Sequence, residues 1–548
     1  MMSRTHAPQV GTWSRRRRTA ILAGMVGAIT ACGGSGSDQP ANVAGGTEWK
    51  QATMLGGETT NPTGSESSSG FDTPAPNLDA KALELHLQGD AEFERSFIRA
   101  PNADFPASDG VGPAFNNTSC IACHPRDGRA AYTSAAMNAP AGTWTPLGAE
   151  AGAFLRISIE NSALCTPAPE NRFCAPVAVP GFSTQLFHRG VLGLRDDSPF
   201  SGQADVHVTF EYETIAYDDG TEVLLRRPRF EIRNPYDSPG ERQITPGVGT
   251  SRLFQADVRT SARIGLPVFG TGLLEAIPQA DILAHADPGD LDGDGISGRP
   301  NWVFDPVRAT QGEAGEPALG RFGWKAGNPS VHAQGSGAYR NDMGVTNYLF
   351  PEESIAGTEL HARYLQRVPE DDGQAATGHE VGEEVLKSVM FYVNTLAVPA
   401  RRNADLPAVR RGADLFESIG CTACHVPAFT TASHPGIWGP AGTIGVDAVA
   451  GQKIFPYTDL LLHDMGEELA DGRTEFGASG SEWRTRPLWG VGLTKTVNGL
   501  AGFLHDGRAR TLEEAVLWHG GEAQSSSRRF RALPVGDREA LLAFLASL

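Results

Sequence analysis

The clearest pattern in the chain lies near its end, in "TLEEAVLWHGGEA" from Thr511 to Ala523. Leu512, Ala515, Val516 and His519 recur at i, i+3, i+4 and i+7, the spacing of one helix face. Thr511 and Glu514 stand in the S/T-x-x-E relation that satisfies the first backbone donors of a helix, and Gly520 with Gly521 ends it. A histidine therefore faces inward. Taken alone, it reads as a core residue bonded to a backbone carbonyl. The terminal "DREALLAFLASL" repeats the helical pattern with Leu541, Phe544, Leu545 and Leu548, and is expected to pack on a helix carrying Gly412, Leu415 and Phe416. A different period marks "DVHVTFEYETIAY", whose two-residue alternation, followed by "DDG" and "EVLLRRPRFEI", predicts a β-hairpin.

One apolar run belongs to neither class. "TAILAGMVGAITA" follows Arg15 to Arg18 and is too short to span a bilayer; no other segment approaches 18 unbroken apolar residues. With "ITAC" ending at Cys32 it resembles a bacterial lipoprotein signal, although Ile29 stands where leucine is usual. The expectation is an exported, periplasmic protein, lipidated at Cys32 and anchored to the outer membrane; plain secretion is the alternative. The chain of 548 residues has a formal charge of −18, and residues 1–31 hold five arginines and no acid, so the body is more acidic still. That argues against nucleic acid and anionic membrane surfaces, and suits a small basic protein partner.

Seven cysteines remain to be accounted for. Cys32 takes one. Cys165 and Cys174, in "LCTPAPENRFC", are expected to form a local disulfide in an oxidising compartment. The other four stand in "CIACH" (Cys120, Cys123, His124) and "CTACH" (Cys421, Cys424, His425). C-x-x-C-H is the attachment sequence of c-type haem: two thiols three positions apart reach the two vinyl groups, and the following imidazole lies under the iron. Two such pentapeptides in an exported chain set aside zinc and disulfide exchange. Haem is attached to unfolded chain after export, so Arg15-Arg16 is not read as a twin-arginine signal. The expected fold is mainly α, with two cytochrome c-type haem domains at 78–400 and 401–548, the first enlarged by loop and hairpin insertions. Residues 1–31 are the leader. The Gly/Ser/Pro-rich 32–77, ending in "SESSSGFDTPAPN", is a flexible tether.

"FGWKA" (322–326), "NDMGVTN" (341–347), "EWRTRPLWGVG" (482–492), "FLHDGRARTLEEAV" (503–516) and the terminal "LLAFLASL" resemble the dihaem oxidoreductase family, relatives of bacterial dihaem cytochrome c peroxidases and of the dihaem enzyme that matures tryptophan tryptophylquinone. The resemblance runs from about Leu78 to Leu548. It implies reduction of hydrogen peroxide at the N-terminal haem, with electrons from a small redox protein, a cytochrome c or a cupredoxin, relayed through the C-terminal haem. The label of thiol oxidoreductase sometimes given to the family gains no support, because no cysteine pair is left over.

In those peroxidases the residue after "LxEAVxx" supplies the sixth ligand of the C-terminal haem. Here that residue is His519, making a bis-histidine relay; Met465 in "LLLHDMGEEL" is the rival, His463 the third candidate, and His505 is expected to orient the site or a propionate. At the N-terminal haem the resemblance puts His332 in the place of the distal glutamate and Lys325 in that of an arginine, with Gln334 as a further polar candidate. His332 could move protons, ligate iron or lie exposed. No histidine stands between His124 and His188 to act as a switchable ligand, which leaves Met137 as its substitute. Trp302 or Trp324 is expected between the haems. "DPGDLDGDGISG" places Asp290, Asp292 and Asp294 as the first half of a calcium loop, but Asn301 at position twelve excludes a full EF-hand. Two other functions stay open: oxidation of a protein or organic substrate, and electron transfer without catalysis.

Overall fold

The computed structural model describes residues 47–548 apart from 64–65, 100–101, 103, 106–107, 149–150, 161–172, 196–199, 244–246, 314 and 369–377. The leader, Cys32 and the Cys165 end of the expected disulfide lie outside the described residues.

Two helix pairs hold the cysteine motifs. Helix α1 (Ala80–Glu94) starts at Asp79, whose carboxylate accepts from Ala82 N at 2.8 Å. It is followed along the chain by α2 (Val331–Ala338) and α3 (Glu383–Thr395); α1 packs across α3 beside the Cys120–Cys123 turn. The crossing lies at Gly89, where a Cβ would sit 2.1 Å from the Ser388 carbonyl oxygen. Helix α4 (Pro407–Ser418) leads into the Cys421 turn; after α5 (Leu512–Leu517), the terminal α6 (Val535–Ser547) packs across α4 as expected. Here the crossing is at Gly412, with a Cβ position 2.0 Å from the Ala540 carbonyl oxygen. Gly412→Val is therefore expected to cost at least ~1–3 kcal/mol by forcing the pair apart. A thermal-unfolding comparison with Gly536→Ala checks this, because a Cβ at Gly536 meets nothing within 4 Å.

The expected mainly α class is not what the chain adopts. Helix makes up 31% and strand 18%, the strands forming eight sheets of two or three strands among the described residues. The reason lies in the long stretch between the cysteine motifs, which carries the two longest strand pairs beside its helices. Strand β1 (Ala153–Ile159) pairs antiparallel with a later strand, Val258–Ile264, from Ala153 opposite Ile264 to Ile159 opposite Val258. The predicted hairpin is β2 (Asp205–Ala216) and β3 (Glu222–Arg233), in register from Asp205 opposite Arg233 to Ala216 opposite Glu222. Val258–Ile264 is β4. Two short strands, β5 (Leu462–Asp464) and β6 (Glu482–Arg484), pair in the C-terminal part.

Residues 47–77 also depart from expectation. Trp49, Leu55 and Phe71 are buried, Trp49 lies edge-on to Phe416, Tyr457 and Phe544, and Thr60–Asn61 pairs with Val398–Pro399. From Thr47 onward the chain is thus packed rather than a tether. The Gly/Ser/Pro composition conceals three large apolar anchors whose burial holds the stretch down. Among the described residues no helix is long and apolar enough to cross a membrane.

Candidate functional site

Each C-x-x-C-H motif forms a single tight turn at the wall of a large cavity. Cys120–Cys123 is one helical turn, closed by His124 N donating to Cys120 O at 2.9 Å. Cys421–Ala423 is a 3-10 turn, closed by His425 N donating to Cys421 O at 3.0 Å. Burial pushes the thiols of Cys120, Cys123 and Cys421 up to about 12, and that of Cys424 upward as well. Redox-active dithiols need the opposite shift. These four cysteines are not built for thiol exchange.

The histidines share one arrangement. His124 Nδ1 donates to Leu266 O at 2.5 Å, His425 Nδ1 to Tyr457 O at 3.0 Å, and His519 Nδ1 to Ala515 O at 2.6 Å. A carbonyl can only accept, so each ring carries its proton on Nδ1 and keeps the Nε2 lone pair for a metal. Burial lowers the pKa of all three, that of His425 to about 4, with His519 nearby adding to the push. Neutral imidazole is the ligating form.

His519 sits where the pattern placed it. The Thr511 hydroxyl caps α5 by accepting from Glu514 N at 3.1 Å, while the Glu514 carboxylate accepts from Arg510 N at 2.7 Å, one residue earlier than in the usual reciprocal box. Leu512, Ala515, Val516 and His519 all line the second cavity, which also holds Cys421, Cys424 and His425. The core-histidine reading holds at Nδ1, which bonds a carbonyl, and leaves Nε2 open for the ligand reading.

The first cavity, around Cys120, Cys123 and His124, spans about 1600 Å³ with the solvent at its mouth included; the second spans about 1630 Å³ on the same measure. Each joins two thiols, an adjacent imidazole with free Nε2 and a largely apolar wall. That donor set and space fit a haem. The sequence model of one family, described as "Di-haem oxidoreductase, putative peroxidase", matches residues 49–548. The chain belongs to the di-haem oxidoreductase family. No curated protein matches it. A solved structure of Kuenenia stuttgartiensis hydrazine synthase, pressurized with 20 bar xenon, is 18% identical over 51% of this chain and 88% of that one, with a TM-score of 0.21.

Within this di-haem oxidoreductase the other expected residues divide sharply. Met465 and His463 line the C-terminal cavity beside His519. His463 is committed elsewhere, its Nδ1 to Glu522 and its Nε2 to Asp459, both at 2.7 Å. His505, also at the wall, stacks on Trp483 with centroids 3.9 Å apart. Trp324 lines both cavities, whereas Trp302 lines neither and is 38% exposed.

Of the three expected distal residues only Gln334 lines the N-terminal cavity, its Oε1 accepting from Asn328 at 2.8 Å. Helix α2 turns Val331, Gln334, Gly335 and Ala338 toward the cavity. His332, one step of about 100° round the helix, points away and bonds Tyr348 through Nε2 at 2.8 Å. Lys325 is fully buried but behind Trp483, 4.3 Å from its ring and 3.3 Å from Asp471. Met137 offers its sulfur to Arg226 at 3.3 Å and is not at the wall.

Glu475 was not anticipated. It lines the N-terminal cavity; Oε2 accepts from Arg473 at 2.7 Å, and Oε1 lies 2.3 Å from where a Cβ on Gly327 would stand. Burial works against its charge, but Arg473, Arg263 and Arg156 overcome it and hold the carboxyl below the usual range. No local motif marks it. The acidic loop also rearranges: Asp287, Asp290 and Asp292 gather their carboxylates, while Asp294 caps Ile296 N at 2.8 Å.

Proposed function

We propose that this di-haem oxidoreductase reduces hydrogen peroxide at its N-terminal haem, using electrons that enter at its C-terminal haem. Cys120 with Cys123, and Cys421 with Cys424, would hold the haems as thioethers, with His124 and His425 as the imidazole donors to iron. One observation carries the reading: the cavities differ in their second imidazole. His425 and His519 both line the C-terminal cavity, whereas His124 is the sole histidine among the described lining residues of the N-terminal one. When bound, haem iron passes single electrons and, where a position stays open, takes peroxide.

The chain supplies the rest. His519 closes the C-terminal site, which then relays and does not react. Glu475, ionised and tethered by Arg473, takes a proton from one peroxide oxygen and returns it to the other. Gln334 offers a hydrogen bond to the same space. Two electrons and two protons convert each peroxide to two waters, and a small redox protein supplies the electrons. Export and a lipid on Cys32 belong to the same proposal and rest on the leader sequence.

Glu475→Gln is expected to lower peroxide turnover ~10²–10⁴-fold, the usual contribution of a positioned acid–base group, without changing haem content. Because its pKa is held below 4.5, the acid limb of turnover should lie below that value; a limb above it would reject Glu475 as the base. The reading itself is tested by low-temperature electron paramagnetic resonance of the oxidised holoprotein. One high-spin and one low-spin signal are expected. If the oxidised protein gives two low-spin signals and the haem still oxidised after one-electron reduction remains low-spin, catalysis gives way to electron transfer alone.

A further inference from the structure

We propose that Arg484 is a shared anchor for the two haems, taking a propionate from each side and tying their reduction potentials together. The inference rests on the two-haem reading above, and on an unusual arginine. Arg484 ends β6, opposite Leu462 of β5. Its backbone N donates to Trp324 O at 3.0 Å and its Nε to Gly323 O at 3.0 Å, so the side chain is fixed at its root. The residue is 3% exposed, lines both cavities, and buries Nη1 without a hydrogen-bond partner.

Three other buried arginines nearby have carboxylates of their own: Arg508 has Asp506 at 2.9 Å, Arg473 has Glu475 at 2.7 Å, and Arg263 has Asp471 at 3.2 Å. Arg484 makes no ion pair among the described residues. Burial draws its pKa down to about 9, opposed only by Asp459. A buried guanidinium without a carboxylate is costly, and a carboxylate brought by a ligand relieves that cost. Each haem brings two. The planar guanidinium fork suits carboxylate oxygens, and its two terminal nitrogens can serve opposite sides at once.

The neighbouring wall has the same sign. Arg486 also lines both cavities, and the guanidinium carbons of Arg129 and Arg486 lie 5.3 and 5.4 Å from the Trp324 ring centroid. Arg129 is also buried with an orphan nitrogen, its Nε, but lines only the C-terminal cavity; of the three, Arg484 alone combines burial, an orphan nitrogen and a place on both walls. Removing its charge leaves a propionate on each haem uncompensated, which favours the oxidised iron on both sides.

The test is a spectroelectrochemical titration of the holoprotein and of Arg484→Gln. Both midpoint potentials are expected to fall by about a tenfold change in the reduction equilibrium, 59 mV for one electron. Arg484→Lys keeps one charge but has no fork, so both potentials should fall by a smaller amount; it also serves if Arg484→Gln does not fold. A shift at one haem only, or at neither, overturns the proposal. Potentials are read without peroxide, so absence of peroxidase activity leaves this result standing. A haem count other than two would instead fail the reading on which it rests.

Discussion

A chain carrying Cys120→Ala and Cys123→Ala is expected to hold one covalent haem where the parent holds two, and to lose peroxide turnover at least ~10³-fold, a small part of the span by which enzymes exceed uncatalysed rates. The physical ground is the state of the thiols. Burial pushes both up to about 12, so neither is a thiolate near neutral pH. Asn117 Nδ2 donates to Cys123 Sγ at 3.1 Å and holds it at the cavity wall. Thiols so placed are poor nucleophiles toward disulfides, but they are positioned to bond a ligand filling the space beside them. The haem stain on a denaturing gel and the pyridine haemochrome give the count. Retention of two covalent haems would show that the N-terminal cavity is not an attachment site. With the haem gone, the largely apolar N-terminal cavity loses its filling, so the double variant should also unfold at a lower temperature.

Replacing His519 by alanine should convert the C-terminal haem from low spin to high spin and cut electron entry from the donor. His519 is held on three sides. Its Nδ1 is tied to Ala515 O. Its neighbour Trp518 lies between the guanidinium groups of Arg508 and Arg227, 4.7 and 4.9 Å from the ring centroid. The hairpin closes over the same segment, with Arg226 donating to Gly507 O at 2.7 Å and the Tyr217 hydroxyl to Glu513 at 2.6 Å. A ligand fixed this firmly is not replaced by drift of the helix. Met465 is the other side chain of suitable chemistry at that wall. If the variant stays low-spin and its potential is that of the parent, Met465 was the ligand all along. If it becomes high-spin, His519→Met offers a further check, since Met axial ligation should restore low spin and raise the potential.

What could be read from sequence follows the range of the interactions involved. The two C-x-x-C-H turns are closed by bonds spanning four residues, from His124 N to Cys120 O and from His425 N to Cys421 O. The α5 cap and the His519 face fit within nine residues, and the hairpin alternation within each arm. All of these were visible because backbone geometry alone sets them. The overall class was not. Helical stretches announce themselves by a 3.6-residue period, whereas strand pairs of two or three residues leave too short a pattern to detect. Trp49, Leu55 and Phe71 were lost in a Gly/Ser/Pro-rich stretch because average composition says little about a few large anchors.

The sequence by itself determined the two C-x-x-C-H turns, the histidine that closes each of them and the inward face of α5, each through contacts within a turn or two. Tertiary structure alone decided which polar groups reach the N-terminal cavity. Gln334 and His332 differ by two positions, but a helix rotates ~200° over that step, so only the packing of α2 selects between them. Glu475 arrives from a loop far along the chain, and Lys325 is withdrawn behind Trp483 by Asp471. Whether Arg484 finds a carboxylate within the protein is also invisible in its neighbours along the chain. Burial and pairing of charge are properties of the folded interior, where a missing partner is costly, and they set the chemistry of the wall between the two cavities.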